Sequence, residues 1–214
     1  AQPLLSPRLI ERYVENRQQN ILIANGLGES FGASVLARYI PDDSQGLVRP
    51  VVNDSATGIA QLRYPDLSVG NNVTDMAFLD DEHLIVLSRG SSDVRVIDLA
   101  NWQVISEFAL MPGAGGRAPD VMDLEVLSNG QIMIVSNRSD RLRLLDVDSN
   151  YQLTEVDVPE STPDDQGFQL PHGRAVQLSA VPRSDGTYSV FLATPTVQGI
   201  VTAIYDPTTL KLTP

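Results

Sequence analysis

Cysteine is absent from the 214 residues, and that gap removes disulfides, thiolate nucleophiles and thiolate metal sites together. Basic residues are scarce: 15 Lys and Arg stand against 27 Asp and Glu, a formal net charge of −12. Such a chain repels phosphate backbones, so no nucleic-acid partner is expected. No apolar run reaches the ~18–20 residues that a membrane-crossing helix needs, so no membrane span is expected. Aromatics make up only 6% of the residues and histidines number two. Neither Gly-x-Ser-x-Gly nor His-Glu-x-x-His occurs, so no complete catalytic motif can be read. The chain opens Ala1-Gln2-Pro3 with no Met and no basic-then-apolar leader, which suits either a mature form after signal-peptide removal or an artificial boundary. Acidity and the lack of cysteine lean toward a periplasmic or extracellular location.

What is present is mostly β-type. Ser6-Pro7 ahead of Arg8 to Glu15 reads as an N-cap and a proline at the first helical position. A short helix follows, with Leu9, Ile10, Tyr13 and Val14 on one face. Residues 1–19 are therefore expected to form an N-terminal helical segment. From residue 21 onward, runs of five to seven β-type residues alternate with Gly, Asp, Asn, Ser and Pro, the pattern of an all-β unit.

An internal repeat organises those runs. Val73 to Asn101 aligns with Val121 to Ser149 at a constant spacing of 48 without a gap. Val73/Val121, Asp75/Asp123, Leu79/Leu127, Ser88/Ser136, Ser91/Ser139, Arg95/Arg143 and Asp98/Asp146 are identical. Each copy holds four strands, at 73–79, 84–88, 94–99 and 103–110, then at 121–127, 131–136, 141–147 and 152–158. A third copy places its strands at 173–178, 188–193, 200–205 and from 210. A partial copy at 20–24, 33–40 and 47–52 resembles strands two to four.

A four-stranded antiparallel unit repeating every ~40 to 50 residues is the signature of a β-propeller blade, a sheet with two apolar faces that needs neighbours on both sides. Val96-Ile97-Asp98-Leu99-Ala100-Asn101-Trp102-Gln103-Val104 resembles the third-to-fourth strand hairpin of YVTN-type propeller repeats. Leu170-Pro171-His172-Gly173-Arg174-Ala175-Val176 resembles the first-strand entry of YVTN and NHL repeats. The expectation is an all-β propeller with about four blades, near 20–58, 72–112, 120–160 and 170–214, the first lacking its inner strand. Either these close a small ring or they form an incomplete piece completed by further blades or a protein partner, and the second is favoured.

In a propeller the first strand of each blade lines the central channel. Asp75 and Asp123 are equivalent by the repeat, and Arg174 is read into the same place in the third copy. Two carboxylates and a guanidinium near the axis could hold a metal, a cationic group or a carboxylate, or Asp75 and Asp123 could simply accept backbone hydrogen bonds between blades. His172 enters a first strand at the channel mouth and could act as base or ligand, or hydrogen bond to a neighbouring loop. His83, in the Asp80-Asp81-Glu82-His83 turn, reads as solvated surface. Asp98, Asp146 and Asp206 recur at third-strand exits, as side chains that accept from their own turns. The loops 112–117 and 159–169 read as connectors between blades. No cofactor is expected, calcium being the ion that Asp75 and Asp123 would suit. The function expected is an exported binding or scaffold module that takes a protein or other ligand. Its rival is a propeller enzyme domain or subunit of the lactonase, phytase or quinoprotein-associated kind, with its site at the channel mouth.

Overall fold

A computed structural model describes residues 7–15, 18–25, 33–42, 44–53, 60–112, 118–159, 161 and 167–214. Among these residues there is no helix, and hence none long and apolar enough to cross a membrane. The first sheet runs β1 (Pro7–Glu15), β2 (Gln18–Asn25), β3 (Ala33–Asp42), β4 (Gly46–Val48). A hairpin of β5 (Val51–Asn53) and β6 (Ala60–Leu62) follows, and β7 (Leu67–Asn71) returns to pair with β3. The second sheet is β8 (Val73–Phe78), β9 (His83–Ser88), β10 (Asp93–Asp98), β11 (Gln103–Ala109). The third is β12 (Val121–Val126), β13 (Ile132–Ser136), β14 (Arg141–Val147), β15 (Leu153–Glu155), with β16 (Phe168–Gln169) pairing to β14. The fourth is β17 (Gln177–Pro182), β18 (Tyr188–Thr194), β19 (Gly199–Asp206), β20 (Lys211–Thr213).

Each sheet is an antiparallel meander whose first strand lies beside that of the next: β1 by β8, β8 by β12, β12 by β17. Among the described residues no comparable packing joins β17 back to β1. Side chains alternate across each strand, so a sheet flanked on both sides has apolar residues at every position of its central strands. That explains the unbroken runs Leu84 to Leu87 and Ile132 to Val135, all of them buried. Leu22, Ala24 and Leu36 meet Met76, Leu84, Val86 and Trp102 between the first two sheets. Ile85, Leu87, Val94 and Val96 meet Leu124, Ile132, Ile134 and Leu145 in the next layer. Met133, Val135, Leu142 and Leu144 meet Leu178, Tyr188, Val190, Leu192 and Tyr205 in the last.

Two expectations are corrected. The N-terminal helix is strand β1, laddered to β2 from Leu9↔Ala24 to Glu15↔Gln18. A helix of about eight residues is marginal on its own, whereas this strand gains a ladder and a place beside β8, so tertiary pairing overrides the local capping signal. The first sheet consequently has the inner strand that the repeat count lacked. The first strand of the third copy begins at Gln177 rather than Gly173, because Pro171 to Gly173 form a turn in which Gly173 takes a φ of +82°. The loop residues 113–117 and 162–166 lie outside the described residues.

Candidate functional site

A register shift opens the inner strand of three successive sheets, between Pro7 and Leu9, Val73 and Asp75, and Val121 and Asp123. Such a bulge re-aims the side chain that follows it. Asp75 Oδ1 accepts a hydrogen bond from the Met76 amide at 2.8 Å, and its Oδ2 one from the Leu124 amide at 2.9 Å. Asp123 Oδ2 accepts from the Leu178 amide at 2.7 Å. Each carboxyl thus ties its inner strand to the next one. Burial, then a hydrogen bond with the Asp123 side chain and the charge of that group, push the Asp75 carboxyl up to about 8. Burial, followed by the charge of Asp123, raises Glu125 as well.

The strand register places Gln177, not Arg174, at the position of Asp75 and Asp123. Gln177 pairs with Ala193 as Asp75 pairs with Leu87 and Asp123 with Val135. A calcium ion needs six to eight oxygen ligands. The carboxyls here are occupied by backbone amides and by each other, and among the described residues no group of three or more His, Asp or Glu side chains is arranged to hold a metal. The donor set does not fit calcium.

Arg174 and His172 are exposed at the rim where the inner strands begin. Arg174 Nη1 donates to the Asn137 carbonyl at 3.2 Å, reaching from the fourth sheet to the β13–β14 loop. The sequence reading missed Asp120, which is buried just ahead of β12. Arg89 donates to its Oδ1, and Arg138 Nε lies 3.6 Å from Oδ2. The usable signal was an arginine in each of the β9–β10 and β13–β14 loops.

At the opposite rim, His83 is not solvated surface. Its ring stacks on Tyr151 at 3.6 Å, and Nδ1 lies 2.8 Å from Asp80 Oδ1. Tyr151 donates to Asp80 Oδ2 at 2.9 Å, tying the second sheet to the third. The turn aspartates behave as expected at Asp98 and Asp206, which accept from the amides of Asn101 and Thr208. In the third sheet the task falls to Asp148, which accepts from Asn150 and Gln152, while Asp146 takes the Gln131 side chain.

No family model matches the chain, and no curated protein matches it in sequence. Solved structures match in shape. The hydrazine synthase of Kuenenia stuttgartiensis has a TM-score of 0.57 and 14% identity, with 99% of this chain and 49% of that one covered. A candidate 6-phosphogluconolactonase of Bacteroides fragilis has a TM-score of 0.55 and 14% identity, with 97% and 68% covered. The β-propeller domain of Cps50 (Swd1) from Myceliophteria thermophila has a TM-score of 0.55 and 12% identity, with 97% and 56% covered. The chain therefore spans about half to two thirds of the structures it matches. At such low identity the likeness speaks for the fold alone, and that fold is a β-propeller.

Proposed function

We propose that this chain is an exported arc of four-stranded, YVTN-like propeller blades that works as a binding or scaffold module. Its docking surface is the outward face of β17–β20, and the partner that fits this face is a further antiparallel sheet of the same kind. The observation that carries this reading is the state of that face. Phe191 is 38% and Ile200 73% exposed, with Val181 and Ile204 open beside them. By strand register Phe191 corresponds to Met133 and Ile85, and Ile200 to Leu142 and Val94, all of which are buried against a following sheet. The last sheet thus carries the apolar half of an inter-blade layer, continuous with three layers already formed, and such a patch marks an interaction surface. The greater length of the matching structures supports the same reading.

Light scattering across a concentration series tests it. The wild-type chain is expected to exceed its 23.3 kDa monomer mass as concentration rises, and the Phe191→Asp/Ile200→Asp variant to remain monomeric. A wild-type chain that stays monomeric throughout refutes the docking surface.

One observation favours a second reading, an enzyme with its site at the channel mouth. Asp75, raised to about 8 beside Asp123, is the kind of carboxyl that serves as a general acid near neutral pH, with Arg174 and His172 on the rim above. The candidate lactonase among the structural matches makes lactone hydrolysis the assay. Turnover by the purified chain that disappears in Asp75→Asn supports this reading, and an inactive wild-type chain removes it.

A further inference from the structure

The charges of this acidic molecule are sorted between its two rims. The rim formed by the turns after the first and third strands carries Asp80, Asp81, Glu82, Asp98, Asp146 and Asp148. The rim where the inner strands begin carries Arg89 and Arg138, paired with Asp120, and Arg174, which reaches the Asn137 carbonyl. Asp120 has a side chain only 7% exposed, and it fixes Arg89 and Arg138 while leaving Arg138 60% exposed. Asn137 links the two halves of the cluster: its carbonyl accepts from Arg174, and its Nδ2 lies 3.5 Å from Asp120 Oδ2. Asp140 in the same β13–β14 loop bonds the neutral Gln169 amide, so the three guanidinium cations less Asp120 and Asp140 leave one positive charge on a chain whose net charge is −12.

A second observation at the same rim is independent of charge. The Thr194 side chain, 4% exposed at the end of β18, has a hydroxyl without a hydrogen-bond partner. The Val176 amide donates to the Ala193 carbonyl at 3.0 Å, so the Arg174 segment runs alongside that end of β18. A buried hydroxyl left unpaired costs free energy and marks a place where a ligand group or a water belongs.

We propose that this rim is a binding site for a small molecule bearing a phosphate monoester, held by Arg138 and Arg174. A phosphate monoester carries about −1.5 to −2 charges at neutral pH, and Arg138 and Arg174 are the exposed cations of this rim that would meet it. The guanidinium fork pairs with such an oxyanion through two parallel hydrogen bonds. The site needs neither the docking surface nor the enzymatic reading.

Calorimetric titration of the intact chain with inorganic phosphate, against chloride at matched ionic strength, tests the proposal. Saturable binding is expected, weakened by at least about tenfold in Arg138→Gln/Arg174→Gln. Arg183→Gln, whose side chain pairs with Asp185 at the opposite rim, should leave it unchanged. No saturable signal, or equal binding in the double variant, overturns the site. Arg138→Gln alone, at an exposed position, gives the same discrimination if the double variant melts early.

Discussion

Near neutral pH the Asp75 carboxyl holds its proton, because burial and Asp123 raise it to about 8, against about 3.9 in an unfolded chain. Between those values the folded state binds more protons than the unfolded state. The stability contributed by Asp75 is therefore full below about pH 4 and declines as pH rises toward 8. Asp75→Asn, which keeps the shape without the titration, is expected to flatten this decline in urea-unfolding free energy measured from pH 4 to 8. An unchanged slope would assign the pH dependence to other groups. The identity of Asp75 with Asp123 showed in the repeat that these residues share a task. That the task is to hold the next inner strand depended on amides some fifty positions away, at Leu124 and Leu178. Arg174 was misplaced for the same reason, since only the ladder shows that Gln177 stands opposite Ala193.

Between third and fourth strands the chain passes through residues with positive φ: Trp102 at 54°, Tyr151 at 60° and Leu210 at 50°. Bulky residues rarely adopt that conformation, so packing must hold them there. Trp102 is 8% exposed, donates from Nε1 to the Pro65 carbonyl at 2.6 Å and meets Tyr64 edge-on at 5.4 Å. It pins the segment between the first and second sheets, where the Arg38 guanidinium lies over the Tyr64 ring at 3.9 Å. Trp102→Ala is expected to cost about 3 kcal/mol in denaturant unfolding, within the range for large aromatic truncations. Trp102 is the single tryptophan, so wild-type fluorescence reports this junction directly. Most strands were legible because the second and third sheets are buried on both faces and the apolar runs are bounded by turn residues. The helix signal at Pro7 misled because capping is local, whereas β1 is made by pairing with β2 and packing beside β8.

Across the whole molecule, equivalent side chains differ in energetic weight according to whether another sheet follows. Met133 is fully buried against the fourth sheet, while its counterpart Phe191 faces outward. Met133→Ala is expected to cost about 2–5 kcal/mol, and Phe191→Ala no more than about 0.5 kcal/mol in the dilute chain. Chemical denaturation of both variants measures the difference, and equal costs would mean that the outward face is already covered. The sequence by itself determined the strand periodicity, the 48-residue repeat, the turn aspartates Asp98 and Asp206 and the charge balance, because each is a matter of composition, local pattern or self-similarity along the chain. Only the tertiary structure decided that Pro7 to Glu15 is an inner strand, that Asp75 and Asp123 bridge successive strands, and that Arg89 and Arg138 pair with Asp120 while Arg174 reaches Asn137. Those outcomes depend on which sheet lies beside which, and that is set by burying apolar faces between sheets far apart in the chain.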